Sequence, residues 1–171
     1  MDDTVNTIKI LIELGSYCKK HDALINAMEY LGEADSRIAA LQANENDMFS
    51  SSSDSEDSDG SPSNSSLRAI TQFEMGSTAK QMQDILQATE FFKSTIQYAN
   101  SEKQKSLWLA AYYELGYCSA KLDQHLKALD FYNTYINQLY GLKIIYAEHS
   151  ENFVMALFGI FESLYKLDKL A

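Results

Sequence analysis

Three aromatic rings and four ammonium groups stand at matched offsets from glycines, and their chemistry is that of recognition. Phe73 and Tyr113 come three residues before Gly76 and Gly116, and Tyr117 comes one after Gly116. Lys19, Lys20, Lys80 and Lys121 come four or five residues after Gly15, Gly76 and Gly116. On a helix these offsets share one face. An apolar, aromatic strip that ends in lysines suits a protein segment carrying a hydrophobic anchor beside acidic residues. The competing expectation is that the rings are packing residues and the lysines complement helix C-termini.

No constellation for catalysis is legible. His21, His125 and His149 have no metal-ligand spacing among themselves or with Cys18 and Cys118, and His21 and His125 read as surface turn residues. Gly15 and Gly116 are not followed by the Gly-Lys-Ser/Thr of a phosphate loop. Carboxylates abound, but on faces that read as solvated. The expectation is a protein that is not an enzyme and uses no metal or cofactor. The two cysteines read as reduced core thiols, not as a disulfide.

The elements that must position the strip are marked by an internal repeat. Glu13-Leu14-Gly15, Asp22 and Ala27 return as Glu114-Leu115-Gly116, Asp123 and Ala128. One Gly-to-Ala spacing is shared by Gly15/Ala27, Gly76/Ala88, Gly116/Ala128 and Gly159/Ala171. A large apolar residue precedes each glycine (Leu14, Met75, Leu115, Phe158), and another follows the first three alanines at the fourth position (Leu31, Phe92, Tyr132). Glycine inside a helix costs about 1 kcal/mol relative to alanine, so its return at one phase points to close helix packing.

This pattern resembles the tetratricopeptide repeat (TPR) family, whose signature W-x2-L-G-x2-Y…A-x3-F lies on a helix-turn-helix unit of about 34 residues. The copy at Tyr112-x2-Leu115-Gly116…Ala128-x3-Tyr132 fits best, followed by Leu11-x2-Leu14-Gly15…Ala27-x3-Leu31. No copy has Trp at the first position, and the glycines from Gly76 onward lie farther apart than the common repeat. The spacing is similar to the long-helix variant of about 40 residues. The resemblance implies antiparallel hairpins stacked as a superhelix whose first helices line a concave groove. That groove would carry Phe73, Tyr113, Tyr117, Lys19, Lys20, Lys80 and Lys121, together with Ile12, Ala156, Ile160, Ser163 and Leu164. TPR modules that grip a chaperone's C-terminal carboxylate place Lys before and Asn after the repeat glycine. Ser16, Ser77 and Tyr117 stand there instead, so that role is not implied.

Helical periodicity predicts an all-α chain of about seven helices, over 4–20, 23–43, 67–81, 84–100, 102–121, 124–140 and 149–169. Asp22 and Asp123 read as N-caps of second helices, Ser101 to Gln104 as a capping box, and Gly141 as a helix stop. The organisation expected is a first hairpin over 1–43, a disordered acidic Ser-rich insertion over 44–66, and two further hairpins with a capping helix over 67–171. Within the insertion, Ser51 and Ser53 are followed at the third position by Asp54 and Glu56, resembling casein kinase 2 sites. Ser61-Pro62 suits a proline-directed kinase.

The 171 residues carry a formal charge of −10, which argues against nucleic acid or an anionic membrane as partner. There is no apolar run near 18 residues, and the start is acidic, so neither a membrane span nor a signal is expected and the location reads as cytoplasmic or nuclear. The combined expectation is an adaptor that binds a protein or peptide segment and is regulated by phosphorylation of the Ser-rich tract. The alternative is a structural subunit buried in a larger complex or self-associating.

Overall fold

Seven α-helices account for nearly all the described residues of the computed structural model, 2–48, 63–99, 104–141 and 147–169, with no strand among them. They are α1 (Asp2–Lys20), α2 (Leu24–Met48), α3 (Asn64–Gln81), α4 (Ile85–Tyr98), α5 (Lys105–Lys121), α6 (His125–Gly141) and α7 (Ala147–Asp168). The chain is all-α, as the periodicity predicts. Helix α2 runs past its expected end at 43, and α3 begins inside the Ser-rich stretch, where the Ser63 hydroxyl accepts from the Ser66 amide. Gln104 stands at the N-cap position of α5; Ser101, Glu102 and Lys103, and with them the expected capping box, lie outside the described residues, as do Ser51, Ser53 and Ser61.

Helices α1, α3 and α5 close in the same way. Seven residues beyond each glycine the backbone turns left-handed, at Asp22 (φ 61°), Gln83 (φ 63°) and Asp123 (φ 56°). The next amides, of Ala23, Asp84 and Gln124, donate to the carbonyls of Cys18, Ala79 and Ser119, each at 2.9 Å. These bonds satisfy carbonyls that a helix end otherwise leaves bare. Asp22 and Asp123 therefore end first helices and do not cap second ones. Asp is both a good N-cap and one of the few side chains at ease in the left-handed region, so residue type alone does not separate the two roles. The N-cap role falls to Asp84, whose carboxylate accepts from the Gln87 amide at 3.0 Å.

The glycines mark where each hairpin touches. A Cβ on Gly15, Gly76 or Gly116 would come within 2.6, 2.8 or 2.6 Å of Leu31, Phe92 or Tyr132, the residue sixteen positions later. The positions three before each glycine sit under the same partner helix: Ile12 shares a core with Leu31, Phe73 meets Phe92 edge-on at 5.5 Å, and Tyr113 lies 6.1 Å from Tyr132. Those positions pack within the hairpin, which corrects the expectation that Ile12 and Phe73 line an open groove. Hairpins adjoin in chain order through α2 on α3, α4 on α5 and α6 on α7, while α1, α3, α5 and α7 are neighbours in turn.

Helix α7 docks differently from the other first helices. In α3 and α5 the residues just before and two after the glycine face the preceding hairpin. Met75 packs on the α2 core, and Leu115 and Cys118 join Ala88 and Phe92 of α4. In α7 the equivalent Phe158 and Phe161 are exposed, and Ala156, Gly159 and Ser163 are buried instead. A Cβ on Gly159 would meet Tyr132 at 2.5 Å, so Tyr132 is shared between Gly116 and Gly159. Helix α7 thus offers α6 the face that other first helices offer their own partner.

Candidate partner-binding site

The junctions between neighbouring first helices differ in one decisive respect. Four residues after Gly15 and Gly76 stand Lys19 and Lys80, and two before Gly76 and Gly116 stand Glu74 and Glu114. Lys19 Nζ donates to Glu74 at 2.6 Å and to the Ser77 hydroxyl at 3.2 Å, and Lys80 Nζ donates to both Glu114 oxygens at 2.7 and 2.6 Å. Each pair bridges one first helix to the next. At the α5–α7 junction the same positions hold Ala120 and Leu157, and no such bridge forms.

A hollow of about 230 Å³ opens there. Buried Tyr132 and Gly159 form its floor, Tyr113, Tyr117, Met155 and Phe158 its walls, and Lys121 and Glu162 its charged rim. An engineered apolar cavity of about 150 Å³ already admits benzene, so this one has room for an aromatic or long aliphatic side chain. Tyr117 lies between two ammonium groups, with Lys80 Nζ 5.3 Å and Lys121 Nζ 5.5 Å from its ring centroid. Such contacts hold the ring in place and favour its electron-rich face. Burial, and then Glu114, Tyr117 and Glu151, raise the Tyr113 pKa.

The structure therefore brings Tyr113, Tyr117 and Lys121 together at the hollow, with Lys80 beside Tyr117 but bonded to Glu114, while Phe73, Lys19 and Lys20 do not line it. Lys19 and Lys80 are committed to ion pairs, Phe73 packs within its hairpin, and Lys20 is exposed at the end of α1. From α7, Met155, Phe158 and Glu162 face the hollow, where Ala156, Ile160, Ser163 and Leu164 were expected. The changed docking face of α7 accounts for the shift, since Ala156 and Ser163 turn inward and Leu164 outward. The signal in the sequence was Leu157, an apolar residue where α3 and α5 carry glutamate.

The histidines divide. His21 is exposed and lies 4.3 Å from the Tyr17 ring, whereas His125 is only 6% exposed, with Nε2 3.7 Å from Asp123. His125 occupies the inward first position of a second helix, where Leu24 and Ile85 stand in the other hairpins, so it is not the surface residue expected. Cys18 and Cys118 are free thiols, and burial with help from Glu114 pushes the Cys118 pKa up to about 11. Among the described residues no three His, Cys, Asp or Glu side chains are grouped to hold a metal ion, and no helix is long and apolar enough to cross a membrane. No family model, curated protein or solved structure matches the chain.

Proposed function

We propose that the protein is a non-enzymatic, TPR-like adaptor that holds a segment of a partner protein at the α5–α7 hollow. The observation that carries this reading is the broken Lys–Glu ladder. Two junctions are closed by partly buried ion pairs, and the third is left open, lined by aromatic rings and flanked by Lys121. The segment inserts one aromatic or branched aliphatic side chain between Tyr117 and Phe158. An acidic residue beside that anchor meets Lys121, because Lys19 and Lys80 are already neutralised within the chain. Phosphorylation of Ser51, Ser53 or Ser61 would add a competing anionic segment on the same molecule. A cytoplasmic or nuclear setting suits that regulation.

Selection from a displayed random-peptide library tests the assignment. Peptides enriched on the wild type should share an apolar anchor next to Asp or Glu. Tyr117→Ala with Lys121→Ala should weaken them by about 1–3 kcal/mol, the range of hot-spot truncations. Tyr113 is left intact because it also supports Tyr132 and Tyr135. Peptides that bind the double variant and the wild type equally would place recognition elsewhere.

A further inference from the structure

The strongest unused feature of the molecule is the outer face of α7. Val154, Leu157, Phe158, Phe161, Leu164 and Tyr165 fall within about one third of the helix circumference, and Val154, Phe158 and Phe161 are 61%, 60% and 68% exposed. With 150–250 Å² for each aromatic side chain, the stripe leaves on the order of 600 Å² of apolar surface open. Patches on typical monomers seldom exceed that size, and larger ones mark interaction sites. The corresponding positions of α3 and α5 are seated against a second helix of the preceding hairpin, as Met75, Leu115 and Cys118 show. No helix among the described residues covers them on α7.

We propose that this face is the seam of a symmetric dimer, in which α7 packs antiparallel on α7 of a second copy with Phe161 near the two-fold axis. That register sets Phe158 against Leu164 and Leu157 against Tyr165 of the opposite chain, so apolar residues meet over the middle of the stripe, while Val154 at its end stands opposite Asp168. Covering both copies removes about 1,200 Å² from water, the lower bound of standard stable interfaces. Charge agrees with the orientation. Glu151 and Lys169 flank the stripe on one side and at opposite ends, so antiparallel pairing brings Glu151 of each copy towards Lys169 of the other.

A rival geometry is available on the same molecule. Helix α1 exposes the equivalent offsets at Ile10, Leu14 and Tyr17, and mating α7 with α1 of another copy would build an open chain of molecules. The α1 row is shorter, with Glu13 exposed among its residues. The isologous pairing buries more apolar surface and closes on itself. It leaves Met155 and Glu162 facing the hollow but takes up part of Phe158, which also walls it, so Phe161→Asp, outside the hollow's lining, separates the dimer from peptide binding.

Sedimentation equilibrium on the full chain decides. The wild type should run at twice 19.3 kDa at micromolar concentration and no higher. Phe161→Asp, on an exposed position, should weaken association at least tenfold and leave the helical circular dichroism unchanged. Tyr17→Asp should leave the dimer intact. Glu151→Lys should weaken the dimer, and Glu151→Lys with Lys169→Glu should restore it. A monomeric wild type would overturn the proposal and assign the face to a different protein. So would a dimer indifferent to Phe161→Asp, or growth beyond a dimer that Tyr17→Asp abolishes.

Discussion

Gly116 and Gly32 are both helical glycines, and what lies opposite them makes their substitution opposite in sign. A Cβ at Gly116 would strike the Tyr132 ring at 2.6 Å, and that ring is buried and cannot swing away, whereas nothing lies within 4 Å of the same atom at Gly32. Gly116→Ala should therefore destabilise by about 1–3 kcal/mol through overpacking. Gly32→Ala should stabilise by up to about 1 kcal/mol through helix propensity. Urea denaturation of the two variants checks both signs. The role of Gly116 was legible because its glycine, alanine and large residue recur at one phase. Gly159 shares the phase without the role, since the ring it meets, Tyr132, belongs to the hairpin before it. Sequence alone does not separate the left-handed turns from N-caps, because Asp serves both purposes. Gln83, a residue with neither talent at the same offset, identifies the turn as a backbone requirement. Gln83→Gly should stabilise by about 0.5–1 kcal/mol by removing the Cβ penalty at positive φ, a gain that thermal melts would register.

At the scale of elements, the lysines illustrate what a single helix face cannot reveal. Their offsets from glycine placed them correctly on the first helices, but their partners lie 55 and 34 residues away, beyond any local pattern. Only the joint recurrence of Lys after one glycine and Glu before the next encodes the bridge. Lys80 and Glu114 are largely shielded, at 27% and 14% side-chain exposure, while Arg37 and Glu33 on α2 remain open to water. A double-mutant cycle with Lys80→Met and Glu114→Gln should return a coupling of about 1–2 kcal/mol, whereas Arg37 with Glu33 should give no more than about 0.5 kcal/mol. Equal couplings would mean that the ladder does not bind hairpin to hairpin. The docking face of α7 was not legible either. Its periodicity predicts a helix, but an apolar stripe does not say whether a neighbour covers it.

For the whole molecule, the sequence reveals the helix count and the hairpin order, because both follow from periodicity and turn chemistry along the chain. It conceals where aromatic residues concentrate. Tyr113, Tyr132, Tyr135 and Cys118 all lie on α5 and α6, and burial is the first cause raising the pKa of each, to about 12 for Tyr135 and about 11 for Cys118. For an acid whose folded pKa lies above its unfolded value, the stabilisation of the neutral form is complete below the unfolded pKa and is lost as pH rises through the folded one. With ordinary values of 9.0 for the thiol and 10.0 for tyrosine, stability should begin to fall above pH 9.0 and continue to fall towards pH 12. Growing negative charge on a chain already at −10 acts in the same direction, so a falling melting temperature alone does not identify the cause. Tyr135→Phe separates the two. Its hydroxyl is buried with no hydrogen-bond partner among the described residues, so removal should cost little at neutral pH and even stabilise slightly. It also deletes one of the buried ionisations while leaving the surface charge untouched. Melts of the wild type and Tyr135→Phe across this range should therefore diverge as pH rises, the variant falling less steeply. Parallel curves would assign the alkaline loss to surface repulsion and not to the buried rings.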